Sequence, residues 1–109
     1  MLMLNPNCVY MLAADHRWQW EEWCDARAIG RERIPEVKRL VFDAFVQARE
    51  RSRDVTAHGA LLIDEQYAAP LVAQAMAAGI TVGTPSERAG AFPLAWSTSP
   101  FERALTGEF

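Results

Sequence analysis

Three short apolar runs, set apart by stretches with helical spacing, constrain this chain more than any other feature. Val9-Tyr10-Met11-Leu12-Ala13-Ala14 stops at the charged triplet Asp15-His16-Arg17, and Ala60-Leu61-Leu62-Ile63 stops at Asp64-Glu65. Ile80-Thr81-Val82-Gly83 leads into Pro85-Ser86-Glu87-Arg88. Such brief, continuous runs read as strands, the first of them buried on both faces. Residues 18–28 read as helix or compact loop, rich in tryptophan and acid and interrupted by Gly30. From Pro35 the spacing predicts a helix on which Ile34, Val37, Val41, Ala44, Phe45 and Ala48 share one face, with no breaker before Gly59. A second helix follows Asp64-Glu65, with Tyr67, Leu71, Val72, Ala75 and Met76 inward, Pro70 in its first turn and Gly79 as a left-handed stop. Ser99-Pro100-Phe101-Glu102 is a capping box with proline at the first helical position, so a further helix is expected from Ser99. Strand and helix alternate throughout, which implies an α/β fold of parallel β/α units. Sites in such folds lie at the carboxyl ends of the strands, where this chain collects its charges.

The 109 residues suit a single domain spanning 1–109. The net charge is −3, and Arg31, Arg33, Lys38 and Arg39 interleave with Glu32 and Glu36. That is a solvated helix face, so no nucleic-acid partner is expected. No apolar run is long enough for a bilayer, and the amino terminus lacks the basic and apolar regions of a signal peptide. No membrane partner and a cytoplasmic location are therefore expected. Cys8 and Cys24 match no metal-ligand spacing and are expected as reduced thiols. No glycine-rich phosphate loop follows any strand, which disfavours a nucleotide-binding domain. Among the eleven basic residues Lys38 is the only lysine.

Three blocks in order, Tyr10-Met11-Leu12-Ala13-Ala14-Asp15-His16-Arg17, Leu62-Ile63-Asp64-Glu65-Gln66-Tyr67 and Pro85-Ser86-Glu87-Arg88-Ala89-Gly90, carry a family resemblance. The chain resembles the amino-terminal third of the aldolase-like (β/α)8 domain fused to the sugar kinase of myo-inositol catabolism, the 5-dehydro-2-deoxygluconokinase type. That domain is related to the class I tagatose-1,6-bisphosphate aldolases. Trp18-Gln19-Trp20 stand where the family continues with glycine, a small polar residue and an aromatic, and Arg88-Ala89 stand where it has lysine and serine. The resemblance implies the first three strands of a TIM-type barrel, aldolase-like chemistry on a phosphorylated keto-sugar, and fusion to a sugar kinase domain. It implies no cofactor, because the Schiff-base lysine of these aldolases comes from a later strand. A full barrel needs about 250 residues, so the chain is expected to be an incomplete segment, inactive alone.

Within this frame Asp15, His16, Asp64 and Glu87 are the candidate catalytic residues, and Arg17, Glu65 and Arg88 the candidate substrate-binding ones. A carboxylate beside a neutral imidazole can move a proton near neutral pH, although Asp15 equally suits a strand-end cap or a surface pair with Arg17. Asp64 and Glu65 divide between the strand mouth and the start of a helix, where acids are favoured. Glu87 suits proton transfer or a loop pairing with Arg88. Arginine grips phosphate bidentately but forms no Schiff base. Lys38, mid-helix, is expected to be solvated, because a Schiff-base lysine needs a desolvated strand-end pocket. Trp18, Trp20 and Trp23 are expected in the core rather than stacked on a sugar. Two alternatives stand beside the aldolase reading. One is a Mg²⁺ or Mn²⁺ site from Asp15, His16, Asp64 and Glu65. The other is a non-catalytic module that self-associates through its open strand edges.

Overall fold

In the computed structural model, which describes residues 9–88, 92–93 and 95–96, three parallel strands form one sheet in the order β1-β2-β3. These are β1 (Tyr10–Ala14), β2 (Gly59–Ile63) and β3 (Thr81–Gly83). Tyr10 pairs with Gly59 and Ala14 with Ile63, while Ala60 pairs with Thr81 and Leu62 with Gly83. The connections carry α1 (Trp18–Ala26), a 3-10 turn at Arg31–Arg33, α2 (Ile34–Arg51), α3 (Arg53–His58) and α4 (Glu65–Ala77). The alternating β/α order expected from the sequence is therefore present, and the helix expected from Ser99 lies outside the described residues.

Helices α2 and α4 pack on one face of the sheet. Side chains alternate across a strand, so Leu61 and Ile63 of β2 turn together toward Phe42 and Phe45 of α2 and Leu71 and Ala75 of α4. Ala14 and Ile80 close the same core. The opposite face is open along β1, where Met11 is 56% exposed. Tyr10 and Leu12 on the helix side are also exposed, at the rim of an apolar cleft of about 330 Å³ shared with Phe45, Ala48 and Val55. The first strand is thus not buried on both faces: it forms an edge of the sheet, and α2 covers only its carboxyl end, at Ala14.

The helices depart from the expected stripes in three places. On α2 the buried residues are Ile34, Lys38, Phe42 and Phe45, whereas Ala44 and Ala48 are exposed. The helix also ends at Arg51 rather than running to Gly59. Ser52 adopts extended backbone and its hydroxyl accepts from Val55 N–H, capping α3. On α4, Ala68, Leu71 and Ala75 are buried but Met76 is 64% exposed. A non-helical Ala68 splits α4 near its start, so Pro70 occupies the first turn of the longer portion, where its missing N–H costs little.

The two helix ends at Ala26 and Ala77 share one stop. Gly79 N–H donates to Met76 O and Ile80 N–H to Ala75 O, with Gly79 at φ +74°. Ala28 N–H donates to Asp25 O and Ile29 N–H to Cys24 O, with Ala28 at φ +53°. This paired-bond ending places one residue in the left-handed region. Glycine fills it after α4, but after α1 an alanine does, two residues before the Gly30 that the sequence suggested as the interruption.

Candidate functional site

The carboxyl ends of β1 and β2 are tied together by one buried cation. Lys38 reaches from the second turn of α2 to the sheet and is 2% exposed. Its ammonium donates to Ala14 O and His16 O, both at 2.5 Å, at the end of β1. It also lies 2.9 Å from Asp64 Oδ1, at the end of β2. An ammonium has three N–H donors, and three oxygens surround this one. Lys38 is therefore not the solvated residue expected from its charge. It sits where an aliphatic side chain of the α2 stripe would sit, one turn from Ile34 and one turn from Phe42.

Asp64 is fully buried and spends its two oxygens on different tasks. Oδ2 accepts from Tyr67 N–H at 2.7 Å, which caps α4. Oδ1 faces Lys38 Nζ in an ion pair whose angle leaves it without an aligned donor. The carboxylate thus carries structure between α2, β2 and α4 and presents no surface to solvent. Glu65, the next residue, is exposed in the first turn of α4.

A second ion pair crosses above the central strand. Arg17 follows β1 and Glu87 follows β3, and these strands flank β2 at about 4.8 Å spacing on either side. Arg17 Nη2 donates to Glu87 Oε1 at 2.5 Å, and Nη1 to the Glu87 carbonyl at 3.0 Å. Glu87 thus pairs with Arg17 and not, as its sequence neighbour suggested, with Arg88; Arg17 in turn is not paired with Asp15. The segment after β3 folds back on itself, with Glu87 bridged to Trp96 and Arg88 N–H donating to Ala95 O. Arg88 itself is exposed, Asp15 is half-buried and His16 is exposed.

The structure therefore brings Arg17 together with Glu87 and Asp64 together with Lys38. Asp15 and His16 are joined to the second pair only through the backbone that Lys38 holds. Among the described residues no three His, Cys, Asp or Glu side chains come close enough to hold a metal ion. Cys24 is buried as a free thiol, and Cys8 lies outside the described residues, as do Ala89 and Gly90 of the third block.

Sequence reasoning missed a network above α4. Tyr67 Oη donates to Glu21 Oε2 at 2.7 Å, and Arg31 Nη1 reaches the same oxygen at 2.9 Å. Burial, followed by the hydrogen bond and charge of Glu21, pushes the Tyr67 hydroxyl up to about 12. Arg31 also holds both oxygens of Asp25, lowering that carboxyl below its usual range. The network fastens α1 over the start of α4. Trp18 and Trp23 are each 43% exposed and so are not the core residues expected; the Arg27 guanidinium lies 4.4 Å from the Trp23 ring centre. No helix among the described residues is long and apolar enough to cross a membrane.

A family model described as an uncharacterized protein conserved in bacteria (DUF2090) matches residues 4–106. No curated protein and no solved structure matches the chain.

Proposed function

The chain belongs to this DUF2090 family, described as conserved in bacteria; from the arrangement of its strand ends we propose that it is an aldolase-like β/α segment whose carboxyl edge binds a phosphorylated keto-sugar. The observation that carries the reading is the buried Arg17, held across the end of β2 by one carboxylate oxygen and the main-chain carbonyl of Glu87. A guanidinium so placed is poised for a phosphate, which takes up its planar fork of donors. Asp15 and His16, adjacent in sequence, supply a carboxylate and an imidazole for proton transfer at the substrate hydroxyl or carbonyl. The exposed Arg88 is a second phosphate contact, and Glu65 a contact to sugar hydroxyls. In this reading the amine that forms a Schiff base comes from a further β/α unit of the same domain. Lys38 does not serve, because its ammonium is enclosed by three oxygens and has no path to a carbonyl carbon.

Calorimetry with dihydroxyacetone phosphate, the smallest phosphorylated ketose, tests this. Saturable binding that disappears in Arg17→Gln, with no borohydride-trapped adduct on Lys38, is the expected result. Absence of binding by the wild-type chain, or an adduct on Lys38, overturns it.

The exposed apolar β1 favours one other reading, a module that assembles through that edge. Sedimentation separates the two, since a chain that remains monomeric at high concentration does not assemble.

A further inference from the structure

The Arg17–Glu87 pair is asymmetric in a way that points to exchange. The Arg17 side chain is 10% exposed and that of Glu87 41%, so the cation is set into the body of the protein and the anion stands at its rim. Of the five N–H donors on a guanidinium, Arg17 uses two, and one of these goes to a neutral carbonyl. The other three have no acceptor among the described residues. A side-on carboxylate would take two donors at once through both oxygens, yet Arg17 engages only Oε1 of Glu87. Arg88, next in sequence, is exposed and offers the displaced carboxylate a second cation.

We propose that Glu87 is a resident anion in the phosphate position of Arg17, displaced when a phosphate monoester binds. The inference rests on the reading that this edge takes a phosphorylated ligand, and it adds how that ligand is selected. A dianion with three acceptor oxygens can fill the donors that Glu87 leaves unused, and so overcomes it. A free monocarboxylate carries only the single charge of Glu87, without its tether to the chain, and so does not displace it. The carboxylate acts as a threshold on ligand charge, set by one side chain.

Titration calorimetry with inorganic phosphate, then with acetate, tests the exchange in wild type, Glu87→Gln and Arg17→Gln. Removing the competing charge in Glu87→Gln is expected to tighten phosphate about tenfold, equivalent to about 1.4 kcal/mol, and to admit acetate. Arg17→Gln is expected to weaken phosphate at least as much, and Arg17→Lys to restore part of the loss. Circular dichroism melts confirm that each variant is folded, with Glu87→Ala as the substitute should Glu87→Gln unfold. Unchanged or weaker phosphate binding in folded Glu87→Gln, together with a loss in Arg17→Gln, overturns the exchange and leaves the phosphate reading intact. Phosphate binding that is absent in wild type, or unaffected by Arg17→Gln, overturns both.

Discussion

Replacing Lys38 by methionine would remove the charge at the centre of the fold while keeping most of the side-chain volume. Asp64 would then remain buried as a carboxylate with nothing facing Oδ1, and the carbonyls of Ala14 and His16 would lose their donor. Breaking a buried ion pair from one side costs about 3–5 kcal/mol. Small domains have only about 5–15 kcal/mol of total stability, so Lys38→Met is expected to lose a large part of it. The double variant Lys38→Met/Asp64→Asn is the informative partner. Asparagine is as good a helix cap as aspartate, so the bond to Tyr67 N–H survives while the stranded charge is removed. Asp64→Asn alone strands the ammonium instead. Urea unfolding of all four proteins gives a double-mutant cycle, in which the double variant is expected to be more stable than the sum of the single losses by about 2 kcal/mol or more. A Lys38→Met loss below about 1 kcal/mol, or a cycle that closes additively, would refute the argument that the pair is dry and mutually dependent.

The same structure leads to three further outcomes. Lys38 should resist acetic anhydride in the native chain and react once urea has unfolded it, a contrast read by mass spectrometry; rapid native acetylation would contradict its burial. Ala28→Gly should raise stability by up to about 1 kcal/mol, because glycine relieves the left-handed strain of about 1–2 kcal/mol at a cost of about 0.5–1 in unfolded-state freedom. Gly79→Ala should lower stability by a similar amount, although a methyl group there meets no atom within 4 Å; equal signs for the two changes in thermal melts would rule out the shared helix stop. Tyr67 should ionise near pH 12 by ultraviolet titration. Its folded value lies above the unfolded one, so its contribution to stability is complete below about pH 10 and is lost as pH rises through 12. A hydroxyl titrating at 10 would refute the Glu21 contact.

The sheet was legible because parallel strands advertise themselves as uninterrupted apolar runs, and all three runs became strands in sequence order. Helix stops were legible where glycine marks them, as at Gly79, and not where alanine takes the left-handed position, as at Ala28. Lys38 escaped because reading a stripe from apolar residues alone skips a charged member. The pattern Ile34, Lys38, Phe42, Phe45, at steps of four, four and three, places it on the buried face, and that spacing was the available signal. Ser52 escaped for a related reason: a single serine ends α2 only because its hydroxyl starts α3. At the site, the sequence located Arg17, Asp64 and Glu87 at strand ends. Which ones pair could not be read, since Arg17 and Glu87 meet only once β2 has come between their strands.

The separation of paired strands along the chain also makes one edge of the sheet costlier to close than the other. Ala60 pairs with Thr81 across one short helix, while Tyr10 must find Gly59 across a loop more than twice as long, at a closure cost of about 0.6 kcal/mol more for each doubling. Loop closure alone therefore favours closing the β2-α4-β3 unit before β1 docks against it. Lys38 rides on α2 inside the long loop and donates to the carbonyls of Ala14 and His16 only once β1 has docked. Lys38 is thus a latch on the strand with the costliest closure, and β1 should be the first element released when the latch is cut.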